Sequence, residues 1–316
     1  VKHLFIVDPL PGLNVTADTS VVFMREAARR EHAVWSAQVE DVALDNGRPV
    51  ADAAVLRISS GADPWYSAEE AQRVPLDDFD VVWMRVDPPY DLNYFFAAHI
   101  LSLVEAATLV VNSGRGLREV SEKLFVLRFP ELTPESIVSR SMAELLAFRE
   151  RHGGEMILKP LDGCGGEGVF HLTPDARNVR ATLEMATAHG ARYQIAQRYV
   201  PEISSGDKRI ILLDGEPIGA VLRVPETNET RANFHAGGTA RRAEITERDR
   251  EICARLRPAL LEFGIVFAGI DVIGDWLTEV NVTSPTGIQE INALAGVRLE
   301  EQVVDHVEKL ARARRA

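Results

Sequence analysis

Cysteine is nearly absent. The chain holds two, Cys164 and Cys253, in 316 residues, which excludes a disulfide framework. No apolar run approaches the roughly 20 residues of a membrane-spanning helix, so no membrane partner is expected. Positive charge is also short: 35 Lys and Arg stand against 47 Asp and Glu, a formal net charge of −12. A general nucleic-acid binder wants a basic face, so none is expected, and any anionic ligand must be held by local Lys and Arg clusters. There is no G-x-S-x-G, no evident cysteine–histidine constellation, no internal repeat and no low-complexity linker. The chain opens on a strand-like run, Val1–Val7, without the pattern of a signal peptide, which predicts a cytoplasmic protein. What remains is an ordinary globular composition, 46% hydrophobic and 26% charged, long enough for two or three modules.

What is present centres on Met156–Phe170. An apolar strand ends in Lys159, a glycine cluster (Gly163, Gly165, Gly166, Gly168) turns the chain, and a second apolar strand leaves. Gly163, Gly165 and Gly168 satisfy G-x-G-x-x-G, but the run after them alternates as a strand does, so no helix N-terminus meets a phosphate and the dinucleotide reading falls. Walker A fails for want of a Gly-Lys-Ser/Thr. Two readings stay open: a phosphate clamp, in which backbone amides and the lysine converge on an anion, or a tight hairpin that uses glycine only for its turn.

Before this stretch, residues 3 to about 120 alternate strands (Leu4–Val7, Ala33–Val39, Val81–Val86, Leu109–Val111) with helices (Ser20–Arg30, Ala97–Ala106), which predicts parallel α/β packing. Residues 41–79 carry scattered Gly, Pro and Asp and assign no strands. Ligands of open α/β sheets lie beyond strand C-termini, where Arg85 and Asp87 could hold a carboxylate or zwitterion, or simply form a solvated pair on a proline-stiffened loop. Gly116–Phe129 reads as one helix, with Lys123 beside its apolar face as an ordinary surface lysine. Ser141-Met-Ala-Glu144 reads as a capping box.

Past the glycine stretch, Tyr193–Val200 alternates as a strand, either a plain sheet member or one that offers its backbone to an adenine edge. Asp214-Gly215 signals a hairpin with Arg209 and Arg223 on opposite strands, suited to phosphate or acyl-phosphate oxygens, or exposed sheet charges. Residues 225–238 read as a lid that would present Arg231 and Asn233 to a substrate. A helix from Thr246 carries Pro258, predicting a kink, and buries Cys253. A second hairpin turns at Gly274-Asp275. Glu279 and Asn281, two apart, share a face that Asp271 can reach from the partner strand. Three hard oxygen ligands in an apolar setting suit Mg²⁺, against the simpler reading of solvated acids on an open face. Ser284-Pro-Thr286-Gly287 could bind a carboxylate, and Arg312–Arg315 reads as a solvated basic end.

The order of these features (lysine helix, lysine strand, glycine hairpin, lid, Asp…Glu-x-Asn hairpin) resembles the ATP-grasp superfamily. The stretches Met84–Asp91, Glu122–Phe125, Leu158–Gly163, Gly206–Arg209, Ala236–Gly238 and Leu277–Thr286 resemble bacterial glutathione synthetase along nearly the whole chain. The resemblance implies an α/β protein, α+β overall, with an N-terminal parallel α/β pre-ATP-grasp domain (1–121), a central ATP-grasp subdomain (122–200) and a C-terminal catalytic subdomain (201–316). It implies ATP and Mg²⁺ (or Mn²⁺) as cofactors, γ-glutamylcysteine and glycine as substrates, and a homo-oligomer. Lys123, Lys159, Gly163, Gly165, Gly166, Gln197, Tyr199, Val200 and Lys208 would contact the nucleotide. Arg85, Asp87, Arg231, Asn233, Ser284, Thr286 and Gly287 would contact substrate. Asp271, Glu279 and Asn281 would hold the metal, and Arg209 and Arg223 would act at the reacting centre. Glu167, a carboxylate in the glycine loop, must then point outward. Rival expectations are a related ligase with other substrates and an ATP-binding sensor without turnover.

Overall fold

The computed structural model describes residues 1–59, 61, 63–163, 165–226 and 237–315. The first part holds β1 (Lys2–Val7), α1 (Thr19–Arg29), β2 (Ala33–Ala37), β3 (Val42–Asp45), β4 (Arg48–Ile58), β5 (Tyr66–Ala68), β6 (Gln72–Pro75), β7 (Val81–Arg85), α2 (Leu92–Ser102), β8 (Leu109–Val111) and α3 (Gly114–Glu119). As the alternation predicts, β2, β1, β7 and β8 run parallel. The segment that assigned no strands contains β4, whose first half pairs antiparallel with β3 and β6 and whose second half pairs with β2 and β5. Changing partners along its length breaks the period-two burial pattern on which strand recognition rests. Helix α2 begins earlier than its periodicity suggested, because the Asp91 carboxylate caps it by accepting from Tyr94 N at 2.8 Å.

The single helix expected over Gly116–Phe129 is not formed. α3 stops at Glu119, and only a 3-10 turn, Phe125–Arg128, follows. The break is enforced from outside. The Glu122 carbonyl accepts from Val280 N, and its Oε1 accepts from Val282 N (2.9 Å), Thr283 N (3.1 Å) and Thr283 Oγ1 (2.9 Å). Four hydrogen bonds to a distant strand end outweigh one more helical turn.

The central part is a four-stranded antiparallel sheet, built from β9 (Ser136–Ser139), β10 (Met156–Pro160), β11 (Phe170–Leu172) and β12 (Gln194–Gln197) in the order β11-β10-β12-β9, with α4 (Met142–Arg151) and α5 (Val179–Ala186). Its core (Leu145, Phe148, Met156, Leu158, Leu172, Leu183, Ala196) is separate from the rest. Half of the expected capping box forms: Ser141 Oγ accepts from Glu144 N, while the Glu144 carboxylate turns to the hydroxyl of Ser139.

The last part holds β13 (Asp207–Leu213), β14 (Glu216–Val224), β15 (Thr239–Arg242), α6 (Glu247–Glu262, one helix through Pro258), β16 (Phe267–Ile273), β17 (Trp276–Asn281), α7 (Ile288–Ala295) and α8 (Leu299–Arg315). The strand order is β15-β14-β13-β16-β17. Two core clusters run through both the first sheet and this one: Leu4, Ile6, Ile210 and Leu212 in one, Phe5, Val7, Ile211 and Leu213 in the other. Strand alternation thus buries both faces, at about 1.5–3 kcal/mol per large side chain. Asn112 locks the join, donating to Phe267 O (2.7 Å) and Val282 O (2.8 Å) and accepting from Val266 N and Phe267 N (2.9 Å each). α8 returns to pack on α1, β7 and β8. Its basic end is not simply solvated: Arg315 pairs with Asp80, and Arg314 donates to the carbonyls of Glu105 and Thr108.

Candidate active site

A cleft opens where the central sheet faces β13–β17, with ≈ 1490 Å³ of space including its mouth. Its floor is a charge network on paired strands. Arg209 on β13 lies directly across from Asp271 on β16, and its Nε and Nη2 donate to the two carboxylate oxygens at 2.5 and 3.0 Å. Arg223 on β14 donates to Asp207 and reaches Asp271 at 3.0 Å. Arg209 Nη1 donates to Thr286 O at 3.1 Å. Two glycines leave room for that guanidinium: a Cβ on Gly269 would stand 3.0 Å from Arg209 Cδ, and one on Gly287, at φ +126°, 3.3 Å from Cγ. Arg209 and Arg223 are 7% and 4% exposed, so the reading of them as exposed sheet charges is corrected.

Burial acts to raise the Asp271 carboxyl, but Arg209 and Arg223 overcome it and hold the group well below the usual carboxylate range. At Asp207 burial prevails over Arg223, and the carboxyl is pushed up to about 6. Its Oδ1 finds no partner among the described residues. Sequence reasoning missed Asp207, although it stands two residues before Arg209 on one strand and so shares its face. Glu122 was missed as well.

Glu279 on β17 is in register with Asp271, and Asn281 with Gly269. Asn281 turns its amide nitrogen to Asp271 Oδ2 (3.2 Å) and Gly269 O (3.3 Å), leaving Oδ1 as its acceptor. Two carboxylates and an amide oxygen therefore gather on one face of adjacent strands and line the cleft. That donor set is of the kind a hard divalent cation takes: Glu279 keeps acceptor sites beyond the one Lys123 uses and Asn281 offers its amide oxygen, while Asp271, which already accepts four hydrogen bonds, would exchange one of them for the ion.

The opposite wall carries Lys159 on β10 and the glycine loop, where Gly163, Gly165 and Gly166 line the cleft. The turn joins β10 to β11 as an antiparallel pair with no helix after it, as expected. Burial lowers the Lys159 pKa. Lys123 is 6% exposed rather than a surface lysine; it sits 2.9 Å from Glu279 Oε1, donates to Gly163 O and so ties the two walls together. Glu167 lies exposed at the rim.

The remaining expectations divide. Asp87, Gln197, Tyr199, Val200, Ser284 and Thr286 line the cleft. β12 is paired on both edges, with Gln197 opposite Ile157 and Ser136, and Arg198 N donates to Glu135 O at 2.8 Å, so only the residues after Arg198 are placed to offer backbone groups. Lys208 points to the other face of β13, pairs with Asp249 at 2.6 Å and does not line the cleft, which corrects its place in the nucleotide set. Arg85 is 3% exposed, donates to Ser20 Oγ (3.2 Å) and Pro285 O (3.0 Å), and supports the cleft from behind. Gly287 likewise lies behind Arg209. Arg231 and Asn233, and most of the lid segment, lie outside the described residues.

A second group of ligand-type side chains, His3, His32 and Glu308, lies far from the cleft residues in the fold, where α8 meets β1. Trp83 Nε1 donates to His3 Nδ1 at 3.1 Å. An indole nitrogen only donates, so the neutral imidazole carries its proton on Nε2, the atom facing Glu308, and cannot ligate a metal through it. Burial lowers the His3 pKa to about 3.

The family model for the prokaryotic glutathione synthetase N-terminal domain matches residues 1–118, and that for the prokaryotic glutathione synthetase ATP-grasp domain matches residues 122–296. A glutathione synthetase of Gloeobacter violaceus is 49% identical over 311 residues, covering 96% of each chain. Among solved structures, a D-cycloserine synthetase superposes with a TM-score of 0.65 at 16% identity, covering 96% of this chain and 99% of its own. The ATP-grasp ligase PsnB complexed with minimal precursor, Mg and ADP gives 0.59 at 15%, covering 97% of this chain and 98% of its own. The two structures speak for the fold alone. With family models matching residues 1–118 and 122–296 and a relative 49% identical over 96% of both chains, this chain belongs to the prokaryotic glutathione synthetases.

Proposed function

We infer that the cleft joins γ-glutamylcysteine to glycine, converting ATP to ADP and phosphate and giving glutathione. One observation carries this reading: a lysine and glycine wall and an arginine and carboxylate floor face each other across one cleft, bridged by Lys123 and Glu279. An amine does not displace hydroxide from a carboxylate at useful rates. Phosphorylation of the dipeptide carboxylate to an acyl phosphate supplies a leaving group, and the glycine amine then forms the peptide bond as phosphate departs.

The protein supplies position and charge rather than a nucleophile. In this reading Lys123, Lys159 and the amides of the glycine loop hold the polyphosphate. Tyr199 and Val200 flank the base. Arg209 and Arg223, rigid on paired strands, stabilise the oxygens that gain charge at the reacting carbonyl and phosphoryl group. Asp271, Glu279 and Asn281 would hold Mg²⁺ or Mn²⁺, which when bound supplies positive charge to the transferring phosphoryl oxygens. Asp87, Ser284 and Thr286 would hold the dipeptide or glycine. The apo network has its own logic. A buried ion pair is expensive to desolvate and weak support for stability, so a set of this size is best understood as a charge environment prepared for an anionic substrate. We further propose domain limits at 121/122 and 200/201, a cytoplasmic location and a homo-oligomer. Among the described residues no helix is long and apolar enough to cross a membrane.

Mass spectrometry of the products from γ-glutamylcysteine, glycine and Mg·ATP tests the reading. Tripeptide formed in step with ADP is expected; ADP formation with no tripeptide would overturn it.

A further inference from the structure

The loop that follows β17 is held residue by residue. Glu122 Oε1 accepts from Thr283 N (3.1 Å) and Thr283 Oγ1 (2.9 Å). The Ser284 hydroxyl donates to the Asp87 carboxyl, Pro285 O accepts from Arg85 at 3.0 Å, and Thr286 O accepts from Arg209 at 3.1 Å. All of Thr283–Thr286 line the cleft. Asp87, Arg85 and Arg209 already have a place in the site or behind it. Glu122 lines the cleft as well and has none.

What sets Glu122 apart is its position in the chain. β17 is an edge strand, so its outward N–H groups lack a sheet partner. Residue 122 covers two of them: its carbonyl takes Val280 N at 3.0 Å, and its carboxylate takes Val282 N at 2.9 Å. The next residue is Lys123, whose ammonium reaches Glu279 at 2.9 Å and the carbonyl of Gly163 in the glycine loop. Adjacent side chains thus fix the end of β17 on one hand and the polyphosphate wall on the other. The donors that converge on Glu122 Oε1 are neutral: Val282 N, Thr283 N and Thr283 Oγ1. A carboxylate oxygen accepts them more strongly than a glutamine amide oxygen would. To fill space alone a neutral side chain would serve, without the desolvation cost of a partly buried carboxylate.

We propose that Glu122 is a positioning residue for the acid substrate: it holds the turn at Val282 and Thr283, and so sets the wall Thr283–Thr286 at a fixed distance from the polyphosphate site of Lys123. The anchored run offers more wall than glycine, a single residue, can cover; the γ-glutamylcysteine dipeptide is the substrate of matching extent. The dipeptide carboxylate must meet the nucleotide where Arg209 stands, and Arg209 anchors the far end of the same run. Glu122 acts through the loop and takes no part in the chemistry. The inference rests on the reaction inferred above, and it names a residue that the reaction itself does not require.

Steady-state kinetics of the full chain test it, with tripeptide and ADP both measured. Glu122→Gln keeps the volume and one acceptor but not the charge. The KM for γ-glutamylcysteine should rise about tenfold, as expected for weakened hydrogen bonds to a charged group. Meanwhile kcat and the KM values for Mg·ATP and glycine should stay within about twofold. Thr283→Val removes one donor from the same contact, leaves the main-chain bonds in place and should raise the same KM about threefold; it carries the test where Glu122→Gln does not fold. The double variant should show less than the product of the two effects, because both act on one contact. A residue that merely supported the fold would lower the active fraction, and with it kcat, at unchanged KM. A wild-type chain that makes no tripeptide would overturn the reaction and this inference with it. With wild-type synthesis intact, a dipeptide KM unmoved in both variants, a loss confined to kcat, or a rise confined to glycine would overturn the positioning role alone.

Discussion

Replacing Asp271 by Asn changes one charge and almost no volume, and the structure states what should follow. The carboxylate accepts from Arg209 twice, from Arg223 once and from Asn281 once. An amide in its place keeps one acceptor and turns an NH₂ toward buried guanidinium groups. Removing one partner from a buried ion pair costs about 3–5 kcal/mol. Here Arg223 keeps Asp207 and Arg209 keeps Thr286 O, which places the loss near the lower end, about 3 kcal/mol. In a chain of this size that is a fall in Tm of roughly 6–12 °C. Urea unfolding at neutral pH, followed through far-UV circular dichroism, measures it. The sign with pH is fixed. The Asp271 pKa is depressed in the folded state, so its contribution is present above the ordinary value of 3.8 and is lost as pH falls below it; the gap between wild type and variant should narrow only there. A variant destabilised by less than about 1 kcal/mol would mean that the arginines do not depend on this carboxylate, and the charge network described here would be wrong.

Lys159→Met should leave the fold intact and weaken ADP binding about ten- to hundredfold by calorimetry, since a hydrogen bond to a charged group contributes roughly 1.5–3 kcal/mol; unchanged affinity would remove Lys159 from the nucleotide wall. Asn112→Ala leaves four backbone groups at the domain join without their partner, and should cost at least about 3 kcal/mol in denaturant unfolding. His3 is kept neutral down to about pH 3 when folded but protonates near 6.5 when unfolded, so stability is full above 6.5 and falls as pH drops toward 3. His3→Gln, which keeps an acceptor for Trp83, should flatten that decline by about 2 kcal/mol at pH 5; equal slopes would show that His3 titrates normally.

Where local pattern and tertiary structure agree, the chain could be read directly. β1, β7, β13 and β16 alternate or run apolar and form as expected, and Asp214-Gly215 and Gly274-Asp275 turn their hairpins. The shared face of Glu279 and Asn281 followed from period two, and Asp271 reached it from the partner strand of the same hairpin. The misses share one cause, a partner distant in sequence. β4 changes neighbours midway, α3 is cut short by bonds from Glu122 to the end of β17, and the tail arginines find carbonyls some two hundred residues away. Lys208 failed differently. Its neighbours Asp207 and Arg209 face the cleft, and the alternation that places them there sends Lys208 to Asp249. α7 was overlooked because Pro285 and Gly287 stand just before it and read as loop.

A crystal grown with Mn²⁺ and ADP tests the shared cleft most directly. Anomalous density should lie among Asp271, Glu279 and Asn281, with the terminal phosphate of the same nucleotide within hydrogen-bonding reach of Lys123 and Lys159. Nucleotide bound elsewhere, or an ion seated so far from the lysines that one polyphosphate could not touch both, would contradict it.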